Sequence, residues 1–548
     1  MNDVYIIVAF IVVFIFLVIR GKRKQRQKKV EALKQNWGKP KNDYLNFDAI
    51  ERYARLKTQS IFHTISEQTK ADINFYELFA FVDRTTSKIG QQYLFDKLSK
   101  PSNNLSALKG SDQHADFFRE HKTVREKAQL QLLQLDRPGT YHVASLLTTK
   151  VFTRPKWYPL TIFSSLLLVG LLLFSIQYPV LLIVALIPAT ANMLFHLWNK
   201  NNTLQFIQAF PELNKMIYTS AELQQMHLPI TDDGIQESIK SMRSFQRKLR
   251  LLGFSNARIG DDMSMVLMYA LEVIKGFFLI ELHAFFSIVK DIEGKQLSIQ
   301  HLFSYVGSID TAISIASLRD GDRITCKPVF LQPEKKIQFA KLTHPLIADC
   351  VTNDLKLEGK SALITGSNMS GKTTFLRTIC INALLAQTLY TCFAEKYEAP
   401  FFKLLSSVNI EDDLLEGKSY FFEEARVIES LIQSVQPDTV NLFVMDEVFK
   451  GTNTIERIAA AKAVLSYLNQ YKNIVFVATH DLELADLLKD QYNLYHFVES
   501  IQDDQLHFDY KLKEGQLQTK NAIKILALLK FPEEIIKDAK EVSSQLSQ

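Results

Sequence analysis

Cysteine is scarce in this chain: Cys326, Cys350, Cys380 and Cys392 are the only four in 548 residues. Their spacing matches no metal or redox motif, so they read as reduced, mostly buried thiols of a cytosolic compartment. A dispersed positive charge is missing as well. The formal net charge is +5, yet seven basic residues crowd into Arg20–Lys29, and without them the remainder is slightly acidic. Composition therefore offers no basic nucleic-acid-binding surface, and no base-reading constellation stands out.

Charge is absent altogether from three apolar runs. Val4–Ile19 is unbroken for 16 residues, about 24 Å as a helix, short for a hydrocarbon core of about 30 Å but extendable by snorkelling Arg20 and Lys22. A signal peptide carries its positive charge before the apolar run and a cleavage site after it. Here Asp3 precedes and the basic run follows, which predicts an uncleaved anchor with its N-terminus outside. Leu160–Ile176 and Val180–Leu197, separated by Gln177-Tyr178-Pro179 and flanked by Lys150, Arg154, Lys156 and Lys200, predict a membrane hairpin with both ends cytoplasmic. Trp157, Tyr158 and Trp198 fit interfacial positions. A fourth stretch, Met263–Val289, contains Glu272, Lys275, Glu281 and His283, each costly at mid-membrane, and is expected to be a core helix. Three spans leave residues 20–155 and 200–548 on the cytoplasmic side.

What the chain does carry is Gly366-Ser-Asn-Met-Ser-Gly371-Lys372-Thr373, set between the apolar run Ser361–Thr365 and the helical pattern Phe375–Leu385. Two glycines let the backbone wrap and aim N–H groups at phosphate oxygens, at the positive end of a helix. In that role Gly366, Ser367, Asn368, Met369, Ser370, Gly371, Lys372, Thr373 and Thr374 bind ATP, with Lys372 on the β/γ-phosphates and Thr373 on Mg²⁺. Downstream, the apolar run Val440–Met445 ends in Asp446-Glu447, placing Asp446 to hold Mg²⁺ and Glu447 to polarise a water. Asn473–Thr479 ends at His480, suited to sensing the γ-phosphate. Three strands with polar ends predict a parallel sheet with its ligand at the carboxyl edge.

Several of these segments resemble the MutS family of mismatch-repair ATPases. Gly366–Arg377, with Asn368-Met369 inside the loop, is similar to that family's nucleotide loop. Asp446-Glu-Val-Phe-Lys-Gly-Thr-Asn-Thr454 resembles its Asp-Glu segment, Ala478-Thr-His480 its threonine-histidine, and Thr343-His-Pro its entry to the ATPase domain. Asp412–Phe421 resembles the segment that lends a serine, here Ser419, to the neighbouring subunit's nucleotide. More weakly, Phe81–Leu98 and Leu302–Ala316 resemble the opening and closing of the core domain, and Asn521–Ala539 the C-terminal helical pair. Lys520-Asn-Ala522 departs from the family's Ser-Tyr-Gly type sequence.

The resemblance implies an α/β P-loop ATPase domain of ABC-like type with a parallel sheet. It follows a mostly α-helical core and lever domain, to which the apolar runs add three predicted transmembrane helices. The expected boundaries are an anchor at 1–20, a basic linker at 21–43, helical core at 44–158, a membrane hairpin at 159–198, further core at 199–335, the ATPase at 336–515 and a dimerisation segment at 516–548. Catalysis falls to Glu447 and His480. ATP, Mg²⁺, a homodimer and DNA are implied by the family, and the membrane lipid bilayer by the apolar runs. Phe75-Tyr76-Glu77 matches the family's mismatch-wedging Phe-x-Glu, but it stands too close to the core opening at Phe81 for a reading domain, and none is expected. Lys240, Arg243, Arg247, Lys248 and Arg250 fit a phosphate-binding stripe and a solvated helix face equally. The alternative function is a membrane-coupled mechanochemical or sensory ATPase acting on protein or lipid without DNA. A transport ATPase is disfavoured, since no Leu-Ser-Gly-Gly-Gln signature is present.

Overall fold

The computed structural model describes residues 2–56, 62–147, 155–230, 234–251, 273–292, 294–367, 369–409, 420–450, 452–502, 505–517, 526 and 530–545. Two compact units emerge, neither contiguous in sequence. The first comprises 1–59, 83–96 and 113–318; the second comprises 60–82, 97–112 and 319–548. The two units cut across the contiguous boundaries expected from sequence, since 60–82 and 97–112 group with 319–548.

In the first unit, the core gathers around the Gln296–Arg319 helix, whose Leu302, Phe303, Val306, Ile309 and Ile313 are all inaccessible to solvent. Each such side chain contributes about 1.5–3 kcal/mol of burial. Tyr53 stacks on Phe303 at 4.4 Å. Gly90 is required by close approach, since a Cβ there would lie 2.1 Å from Asp310 Oδ2. Asp310 in turn accepts from the Thr86 and Ser87 amides, both at 2.7 Å, and from Ser87 Oγ at 2.6 Å. The N-terminal helix runs unbroken from Asn2 to Gln35. The expected linker at 21–43 is thus helical over most of its length, because Lys, Arg and Gln are good helix formers. Its far end is tied down by Trp37, whose ring lies 3.5 Å from the Arg125 guanidinium.

The apolar hairpin consists of helices Tyr158–Phe174 and Leu181–Gln224. The second continues well past the predicted end at Leu197, and Phe210, Leu213, Met216 and Ile217 on it are buried in the core. Leu168, Ala185 and Ala189 pack together inside the hairpin. Leu160, Phe163, Leu166, Leu173, Ile183, Ile187 and Leu194 stand exposed on its outside. Among the described residues, Leu181–Trp198 is long and apolar enough to cross a membrane, and Tyr158–Phe174 is a shorter apolar helix. One qualifying helix does not support the three expected spans. Val4–Ile19 lies within the first helix, but most of its side chains fall outside the described residues. Trp198 is exposed, whereas Tyr158 is buried against Phe286.

The second unit is built on a six-stranded sheet. In spatial order it runs Lys513–Glu514, Tyr492–His496, Ser361–Thr365, Ile474–Thr479, Asn441–Asp446 and Lys403–Ser407, and all neighbours are parallel except the first pair. The central strands are buried on both faces, which explains their near-continuous apolar sequence. Helix Lys372–Leu389 contacts this sheet. Leu363, Phe443, Met445, Val475 and Val477 form one cluster with residues of helices Tyr420–Gln433, Thr454–Leu468 and Leu482–Leu488. A smaller sheet joins Val329–Phe330, Lys396–Ala399, Lys336–Leu342 and Asn353–Glu358. The outer strand Lys403–Ser407 is covered by 63–72. His63 Nε2 lies 2.8 Å from the Leu404 carbonyl, and buried Asp72 accepts from Ser406 Oγ (2.6 Å) and the Val408 and Asn409 amides.

Phe75 lies fully buried at the start of helix Phe75–Val82, so its ring is not available as a wedge. Lys240 and Arg243 are exposed on helix Ile235–Leu251, while the side chains of Arg247, Lys248 and Arg250 lie outside the described residues.

Candidate nucleotide-binding site

Register assembles the site. Thr365 pairs with Thr479, and Asp446 pairs with Ala478, so three adjacent parallel strands end side by side. The loop leaves the sheet at Gly366, whose φ is +148°. A Cβ there would press within 2.9 Å of the Phe497 carbonyl. Gly371, at φ +104°, opens helix Lys372–Leu389 and leaves its first-turn amides at the positive end of the dipole.

Lys372 is buried, and its Nζ donates to the Gly366 and Ser367 carbonyls, both at 2.8 Å. Burial lowers its pKa, and Asp446 and Glu447 oppose that shift. Ser367 Oγ donates to Glu499 (2.6 Å), and Ser370 Oγ donates back to the Ser367 carbonyl (2.8 Å). Met369 and Thr374 line the same cavity, while Asn368 lies outside the described residues. Thr373 Oγ1 donates to Asp446 Oδ2, and Asp446 Oδ1 is buried without a partner. Burial raises the pKa of this carboxyl. A hydroxyl beside an unsatisfied carboxylate oxygen is a donor set that fits Mg²⁺.

Glu447 adopts φ +53° with its amide donating to the Ala478 carbonyl (2.9 Å). His480 Nε2 approaches its carboxylate at 2.5 Å and Lys450 Nζ at 2.9 Å. The His480 hydrogen bond, followed by that from Lys450, pulls the Glu447 pKa down to about 2. His480 thus faces the carboxylate expected to activate water. The cavity bounded by Lys372, Thr373, Asp446 and Glu447 has a volume of about 730 Å³, enough for a nucleotide.

Sequence reasoning missed several cavity residues. Lys450 lines the cavity, yet within the Asp446–Thr454 segment nothing in the sequence gives it a role of its own. Tyr510 packs 3.1 Å from the position of a Gly371 Cβ. Its loop is clamped by Asn353, which donates to the Tyr510 carbonyl (3.1 Å) and accepts from the Leu512 amide (2.8 Å). No local pattern marks Tyr510 or Glu499, since both reach the loop from more than a hundred residues away. Ser419 and its segment Asp412–Lys418 lie outside the described residues, as does Lys520-Asn-Ala522. Of the C-terminal pair, the helix Glu533–Gln545 is described.

Residues 362–547 match the family model MutS domain V. The chain is 33% identical over 289 residues to the DNA mismatch repair protein MutS of Petrotoga mobilis, covering 47% of this chain and 34% of that protein. Its counterparts in Leuconostoc mesenteroides and Caldanaerobacter subterraneus are 28% and 29% identical, over 48% and 49% of this chain and 32% of each relative. These findings support the MutS family over the C-terminal part of the chain. The chain spans about a third of the length of these relatives.

Proposed function

We propose that the second unit binds ATP with Mg²⁺ and hydrolyses it slowly, as a switch acting on the helical unit. The observation that carries this reading is the convergence of Lys372, Thr373, Asp446 and Glu447 on one cavity at the carboxyl edge of a parallel sheet. Lys372 and the first-turn amides hold the phosphates, and Thr373 and Asp446 hold the cation. Bound Mg²⁺ would neutralise charge on the phosphate oxygens. Tyr510 gives the cavity an aromatic wall suited to a purine. Glu447 orients the attacking water as an acceptor. The His480 and Lys450 contacts favour the charged form of Glu447, as accepting a hydrogen bond from that water requires.

In a homodimer Ser419 would complete the partner's site, and DNA is the ligand that the relatives' names suggest. The exposed apolar hairpin favours a second reading, in which the same engine is anchored in the membrane, its ATPase unit is cytoplasmic, and it acts on a protein or lipid partner without DNA. Full-length protein in detergent separates these readings. Glu447→Gln should retain labelled ATP while turnover disappears; unchanged hydrolysis would sink the mechanism. Duplex-stimulated hydrolysis with a steep salt dependence supports the DNA reading, and no duplex binding at low salt removes it.

A further inference from the structure

A helix break beside the hairpin carries a topological consequence. Residues 273–277 are helical, Leu279 turns at φ +49°, and a second helix runs Ile280–Ile292. The path can be followed against the hairpin, whose tip lies at 175–180. A Cβ on Gly276 would lie 2.5 Å from Met193 Sδ and 3.5 Å from the His196 ring. Further in, Phe277 and Phe278 pack on Leu168, Ala185 and Ala189. The chain then returns. His283 stands beside Ser165 (3.1 Å) and Tyr158, Phe286 sits against Tyr158 at 4.6 Å, and Phe285 reaches Phe210 at 6.0 Å. Leu168 lies ten residues beyond Tyr158, about 15 Å along the helix axis, or half of a hydrocarbon core of about 30 Å.

The break leaves carbonyls without their intrahelical donors. In water they would need no help. Here the hairpin caps them: Asn192 Nδ2 donates to the Phe277 carbonyl at 2.8 Å, and Ser165 Oγ donates to the Phe278 carbonyl at 3.1 Å. Ser164 Oγ in turn donates to Asn192 Oδ1 at 2.7 Å. These polar groups turn inward from otherwise apolar helices, as irregular backbone in a lipid environment requires. On the outside, Val273, Ile274 and Ile280 are 40%, 45% and 40% exposed and extend the hairpin's apolar surface.

We infer that residues 273–292 form a re-entrant segment, in place of the core helix expected from sequence: it dips part-way into the bilayer beside the hairpin, to a depth limited by the charges of Lys275 and Glu281, turns at Phe278–Leu279 and leaves on the side it entered. This rests on the membrane reading of the hairpin. A re-entrant path preserves topology. The chain after Ile292 stays on the same side as both hairpin ends, whereas a full crossing would move the nucleotide unit to the other side.

The test uses the full chain in lipid vesicles, with a nitroxide attached through a keto-bearing side chain introduced at one position, so that the four cysteines stay in place. Collision with oxygen, which partitions into lipid, is compared with collision with nickel ethylenediaminediacetate, which stays in water. Ile183 reports the hairpin and exposed Val329 reports water. The inference expects the oxygen-to-nickel ratio at Ile274 and Ile280 to exceed that at Val329 several-fold and to approach that at Ile183. A lipid-like ratio at Ile183 with water-like ratios at Ile274 and Ile280 overturns the re-entrant segment and leaves the hairpin reading standing. Water-like ratios at all three overturn both.

Discussion

Lys372 is turned onto the carbonyls of its own loop, so nucleotide entry requires its ammonium to pass from those oxygens to phosphate. Charge-assisted hydrogen bonds of this kind are worth about 1.5–3 kcal/mol, and Lys372→Ala should weaken ATP binding by about 10- to 100-fold in a fluorescence titration. Asp310 offers a different residue-scale test. Burial lifts its pKa to about 6, against hydrogen bonds from Ser87 and Thr86 that pull the other way. The folded state therefore holds this proton over a range where the unfolded chain, with its ordinary value of 3.8, has lost it. Stability from this group is fully present below that value and is lost as pH rises through about 6, on the order of 3 kcal/mol across the window. Asp310→Asn should be less stable overall, because one amide loses its acceptor. Its unfolding midpoint should also vary less between pH 4 and 6 than that of the wild type. Equal slopes would assign the window to other carboxyls.

At the scale of elements, the short helix Glu67–Asp72 does more than its length suggests. Ser66 caps it by accepting from the Thr69 amide, and Asp72 at its end accepts from Ser406, Val408 and Asn409. Asp72→Ala leaves those buried donors without an acceptor and should cost the second unit about 3 kcal/mol, measurable by chemical denaturation followed by circular dichroism. That contact was not legible in the sequence, where Asp72 is one acid in a polar stretch and its partners lie more than 300 residues later. The strands Ser361–Thr365, Asn441–Asp446 and Ile474–Thr479 were legible, because each is an apolar run ending in the polar residues that make the site. Adjacent registers then brought those ends together. Helix extent was harder to read. A basic run after an apolar one suits a linker and a solvated helix equally, and the structure continues the helix to Gln35.

For the whole molecule, the exposed apolar faces of Tyr158–Phe174 and Leu181–Trp198 predict that the protein stays in the membrane pellet after both high salt and alkaline carbonate. Release by salt alone would leave the Arg20–Lys29 run as the attachment and remove the hairpin reading. Interleaving of the two units gives a further expectation. A fragment of residues 319–548 lacks 60–82 and 97–112, so its outer strand Lys403–Ser407 loses the cover supplied by His63 and Asp72. Uncovered edges template aggregation, and this fragment should be insoluble alone but soluble when residues 60–112 are co-expressed. The same interleaving sets a timetable during synthesis. Residues 60–82 and 97–112 leave the ribosome first and must wait for the rest of their unit until strand Lys403–Ser407 emerges after the hairpin. On the proposed membrane reading, insertion of the hairpin would precede completion of the cavity, and no nascent chain would gain a finished pocket before it had its chance to anchor.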